Sequence, residues 1–101
     1  MLIQRGQRYR VVNDTPAICM TYWKAPYTGG VKVVVPAGEV LVVTADPSPR
    51  ATGADLLPER YDALLAKFVP FKERSDPKFG GYSLCLMFDQ IDANCQLVTE
   101  E

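Results

Sequence analysis

The segment from Val31 to Ala45 reads VKVVVPAGEVLVVTA, and it restricts the chain more than any other stretch. Valine carries two heavy atoms on Cβ, which stiffens its side chain and suits a pleated surface better than a helix. Pro36-Ala37-Gly38 interrupts the run, with proline at the second and glycine at the fourth position of a type I turn. The segment therefore predicts a hairpin, Val31–Val35 against Glu39–Ala45.

The same two-residue period recurs on both sides. From Gln7 to Val12, Tyr9 and Val11 alternate with Arg8 and Arg10, as in a half-buried strand. Asn13-Asp14-Thr15-Pro16 reads as a turn. Ala17 to Lys24 reads as a second strand, with Ile18, Met20 and Tyr22 on one face and Cys19, Thr21 and Trp23 on the other. Residues 25–30 form a loop rich in proline and glycine. Tyr82 to Phe88 alternates again, and Cys95 to Val98 closes as a short strand. Asp89 to Asn94 reads as a tight turn or a single helical turn, in which Asp89 and Asn94 bond backbone groups.

One stretch breaks the pattern. Leu57, Tyr61, Leu64, Leu65 and Phe68 recur at helical spacing, Asp55 suits an N-cap and Pro58 suits a first turn. They predict a short inserted helix near residues 56–68, followed by a polar loop over 71–81. The expected fold is mainly β: a strongly bent antiparallel sheet of five or six strands, a partly open small barrel of Src-homology type, with 46–81 as an insertion. Such a barrel is the economical way for a short chain to hide strand edges. A single domain spans 1–101, with no internal repeat.

Composition excludes several mechanisms. The chain contains no histidine, so it lacks the commonest general base and transition-metal ligand. No nucleophile and base stand in a recognisable constellation, and the glycine pairs 29–30 and 80–81 lack the spacing of a phosphate loop. Asp89, Asp92 and Asn94 supply too few oxygens for a calcium loop. Cys19, Cys85 and Cys95 lack metal spacing and sit in apolar strand contexts, as reduced core thiols do, although Cys85 and Cys95 lie on strands of opposite direction and could face each other. The expectation is a non-enzymatic protein with no cofactor and no metal. No signal-peptide core or membrane-length apolar run appears, so the expected location is cytoplasmic, without a membrane partner.

Net charge is −1, which argues against nucleic acid as the main partner. The leading expectation is a protein- or peptide-binding module, acting through Tyr22, Trp23 and Tyr27 at the end of a strand and in the loop after it. Aromatics at a loop mouth can line a groove for an extended peptide. The alternatives are a nucleic-acid site on the arginine strand, through Arg8 and Arg10 with Arg5, Lys24 and Lys32, or a small-molecule site between helix and sheet, with Tyr61, Asp62, Tyr82 or Asp89. A homo-oligomer joined through valine-rich edges is a further expectation. Alanine at Trp23 separates two outcomes. Lost partner binding at an unchanged melting temperature places the ring in an exposed groove; a large loss of stability places it over the core.

Overall fold

A computed structural model describes residues 3–23 and 28–99, with backbone alone for 28 and 29. Among them run seven strands: β1 (Arg8–Val11), β2 (Thr15–Trp23), β3 (Thr28–Val35), β4 (Val40–Val43), β5 (Gly53–Pro58), β6 (Phe79–Met87) and β7 (Cys95–Leu97). Three short helices accompany them: α1 (Tyr61–Phe68), α2 (Phe71–Arg74) and α3 (Phe88–Asn94). The strands form one sheet in the order β3-β2-β6-β5-β4-β1-β7, and every neighbouring pair is antiparallel.

The valine-rich segment is not a hairpin. β3 pairs with β2, from Tyr22↔Thr28 to Thr15↔Val35, while β4 pairs with β1, from Arg10↔Val40 to Arg8↔Val42. The register is the same in both ladders. Between them the Val11 N–H donates to the Glu39 carbonyl and the Gly38 N–H to the Val11 carbonyl, each at 2.8 Å. β1 with β2, and β3 with β4, are therefore two halves of one long hairpin that bends at its middle. Pro36-Ala37-Gly38 is its corner. The Ala37 N–H is held by the Asp14 carboxylate at 2.8 Å, across the corner, whereas the bond that would close a tight turn, from Glu39 N–H to the Pro36 carbonyl, stretches to 3.5 Å. Asn13-Asp14-Thr15 is the matching bend of the other strand and not a reversal.

This corner forces the sheet to curl. In a flat sheet β1 and β2 would lie four strand spacings apart, about 19 Å. The four Cα steps from Val11 to Thr15 span at most about 14 Å. The sheet is thus strongly bent, as expected, but it is not closed into a barrel: β3 and β7 remain as edges. Helix α3 packs between β2, β6 and β7. The Asn94 carbonyl accepts the N–H groups of Val12 and Asn13, and its side-chain amide donates to the Thr15 hydroxyl at 3.2 Å and to the Gln90 side chain at 2.8 Å. Asn94 thus serves the corner, where a turn bonding its own backbone was expected.

Alternation delivers the core. Tyr9 and Val11, Leu41 and Val43, Ala54 and Leu56, and Tyr82, Leu84 and Leu86 all point inward and are buried, with Leu64 of α1, Val69 and Ile91 of α3 closing over them. The helix expected near 56–68 is half strand. Ala54, Leu56 and Pro58 alternate inward on β5, which fills the free side of β4 through Leu41↔Pro58 to Val43↔Leu56. Pro58 ends that strand, where a missing N–H is tolerated. The helix itself is confined to Tyr61–Phe68 and buries Leu64. The segment 46–81 is accordingly not an insertion, because β5 is central to the sheet.

Two glycines test this geometry separately. Gly38 holds φ at +99° with open space where a Cβ would stand, so Gly38→Ala is expected to cost about 1–2 kcal/mol from conformation alone. A Cβ on Gly53 would lie 2.6 Å from the Leu86 carbonyl oxygen. Gly53→Ala must push β5 off β6 and is expected to cost about 1–3 kcal/mol. Urea midpoints at a constant m-value measure both. A neutral Gly38→Ala would remove the corner's dependence on that conformation.

Candidate functional site

β2 distributes its side chains unusually. Its inward residues are small (Thr15, Ala17, Cys19 and Thr21) and buried. Its outward residues, Pro16, Ile18, Met20 and Tyr22, are the larger and more apolar set. The sharply curled inner face has room for little more, since Leu41, Leu56, Leu84, Leu86 and Ile91 already fill it. The larger apolar groups are left on the outside.

There they meet an apolar neighbourhood. Ile18 faces Cys85 of β6 and Lys32 of β3 across the ladders, and Met20 faces Ser83 and Gly30. Gly30 leaves room for them: a Cβ there would lie 3.0 Å from the Met20 sulfur and 3.3 Å from an Ile18 methyl. A cleft of about 280 Å³ opens on this face, lined by Pro16, Ala17, Ile18, Lys32, Cys85, Met87 and Gln90. Lys32 is the one charged side chain in that lining. Met87 and Val34 stand exposed nearby. Beside the cleft, the Ser83 hydroxyl is buried without a hydrogen-bond partner.

Cys85 is the one thiol in the cleft lining. The Cys85 thiol is pushed above its ordinary pKa by burial and, secondarily, by the Asp55 carboxylate directly across the ladder, so it remains a thiol at neutral pH. All three cysteines are free. Cys85 and Cys95 are on strands that do not pair with each other, and no disulfide joins them. Among the described residues no three His, Cys, Asp or Glu side chains gather as a metal would require. No described helix is long and apolar enough to cross a membrane.

The expected aromatic group divides. Tyr22 lies exposed on the outer face beside Met20. Trp23, one residue on, turns to the other side, packs edge-on against Phe79 at 5.5 Å and donates from its ring N–H to the Thr21 hydroxyl at 3.3 Å. Those contacts leave Trp23 half-buried against Phe79, which itself packs on the core. Tyr27 and Lys24 fall outside the described residues.

The arginines project from the outer face of β1, as alternation requires. Arg8 grips Glu59 with two hydrogen bonds, of 2.7 and 3.0 Å, and this hold, with help from the nearby charge of Arg10, keeps the Glu59 carboxyl below its usual range. Arg10 lines a small polar hollow with Gln96 and Thr99. Lys32 is on β3, at the far edge of the sheet from β1, so it does not join Arg8 and Arg10 in one ridge.

Tyr61 and Tyr82 lie ring against ring at 4.7 Å, and the Tyr82 hydroxyl donates to the Tyr61 carbonyl at 2.9 Å. They pack on each other between α1 and β6, with Asp62 and Asp89 exposed on different helices. One pairing had no signal in the sequence. Glu39, buried at the corner, is held by two hydrogen bonds from Arg60, at the entrance to α1. Its buried charge serves the fold, since the exposed Arg60 keeps it compensated. No family model matches the chain, and neither any curated protein nor any solved structure matches it.

The buried thiols and phenols have a common consequence. Burial raises the pKa of Cys19, Cys85, Tyr9 and Tyr82, and pushes Cys95 to about 11. A pKa raised by folding stabilises the native state below the unfolded pKa, about 8.5 for cysteine and 10 for tyrosine, and that contribution is lost as pH climbs through the folded value. Urea stability is therefore expected to be level from pH 7 to about 8.5 and to fall beyond it. Cys95→Ala should flatten that alkaline slope. An unchanged slope would show that the thiol titrates as freely in the folded chain as in the unfolded one.

Proposed function

We propose that this chain is a non-enzymatic protein-binding module that seats an extended peptide segment on the outer face of β2. The carrying observation is the apolar cleft with a single cation at its border. Its volume, about 280 Å³, falls below the roughly 300–1,000 Å³ of sites that enclose a drug-sized molecule, and it suits one or two anchoring side chains. Ile18, Met87 and Pro16 would receive an apolar anchor. Lys32 would meet a carboxylate beside it in the peptide, and this charge complementarity selects the occupant. Tyr22 extends the same face and is the expected aromatic best placed to contribute. Trp23 would support the face from behind.

The arginine strand gives less support to nucleic-acid binding, because Arg8 is already committed to Glu59 and Lys32 lies at the opposite edge. Catalysis by the cleft would need a base or a nucleophile, for which its lining offers one lysine and a thiol that burial keeps protonated.

A display library of random peptides tests the proposal. Selection on the native chain is expected to enrich an apolar residue next to aspartate or glutamate. Lys32→Glu, at an exposed position, is expected to reverse the charge preference while leaving the melting temperature nearly unchanged. No enrichment, or enrichment indifferent to Lys32→Glu, would sink the cleft as the binding site.

A further inference from the structure

We propose that β3 is a self-association edge, along which two copies pair antiparallel about a two-fold axis at Val33. This goes beyond the peptide cleft and does not rest on it.

Among the described residues β3 has a strand neighbour on one side only. At eight residues it is the long edge of the sheet; the other edge, β7, has three. Natural edges are usually blunted by proline, bulges or several charges. β3 contains no proline, its ladder with β2 runs without a register shift, and Lys32 is its only charge. Val31 and Val34 are 55% and 56% exposed. The strand is dense in valine and presents the unpaired backbone groups of an open edge.

The sequence of β3 itself selects a second copy as the occupant. With Val33 on the axis, Val31 stands across from Val35 of the partner subunit, and Lys32 across from Val34 of the partner subunit. No like charges oppose each other, and both outer faces stay on the same side of the joined sheet. The partner strand has the same length, which β7 cannot offer. A net charge of −1 sets little long-range repulsion between copies. The contact is isologous, so each edge is consumed and assembly stops at two.

Sedimentation velocity over a concentration series tests it, on the wild type and two variants at the exposed Val34. The wild type is expected to pass from monomer to dimer, without larger species. V34K sets a cation across from Lys32 of the partner subunit twice by symmetry and should weaken the dimer about tenfold. V34E sets a carboxylate there and should tighten it. Circular dichroism melts confirm that both variants keep the monomer fold. A wild type that stays monomeric up to its solubility limit would overturn the inference, as would a dimer that V34K and V34E leave unmoved. The peptide selection reads the cleft independently, so failure of either proposal is visible without the other.

Discussion

Two adjacent strands turn one corner together here, and the sheet takes its shape from that shared bend. Val11, Thr15 and Val35 are almost wholly buried at the corner, so the chain cannot leave its polar backbone there unmatched. The bonds come from three directions: Glu39 and Gly38 from the second strand, the Asp14 carboxylate across the bend, and Asn94 from α3. Each such bond contributes about 1 kcal/mol net, but an unmatched buried group costs more than a made bond gains. The bend and α3 therefore depend on each other. Glu39 adds a buried carboxylate at the same place, held by Arg60, which ties the corner to the start of α1.

From this bend follows the division of labour on β2. Curling brings the large inward residues of β4, β5 and β6 together and leaves β2 space for alanine, cysteine and threonine. Its bulkier side chains must then face out, between an edge strand with a glycine opposite Met20 and a strand carrying Cys85 and Met87. The apolar cleft is thus a by-product of core geometry before it is anything else, and Lys32 is the one charge in its lining.

Local alternation was enough to read β1 and β6, since one face of each is plainly apolar and the other plainly not. The inward direction of β2 was not legible, because both of its faces carry apolar groups and only the volume left by other strands decides between them. The valines of β3 and β4 were correctly read as strands, but Pro36-Ala37-Gly38 suits a reversal and a bend equally well; Asp14, more than twenty residues away, settles the matter. Leu57 fitted a helical stripe and Pro58 a helical first turn, yet both fit a strand as well. What placed them on β5 was the unfilled side of β4, a non-local demand that no window of sequence contains. At the candidate site, the arginines were legible as outward groups and Tyr22 as an aromatic at the end of its strand. Ile18, Met87 and Gln90 were not, for they converge only through the pairing of β2 with β6 and the packing of α3.

The inverted sizing of β2 has a bearing on how its alignment is kept. In most half-buried strands a slip of one residue expels the apolar face into water, and that penalty holds the strand in place. A slip of β2 would carry Ile18 and Met20 inward, so loss of burial does not oppose it. The opposition is steric: those side chains would be driven into a space sized for Ala17 and Cys19, and Thr15 would be drawn away from Asn94. In this strand tight quarters, more than greasiness, keep the alignment.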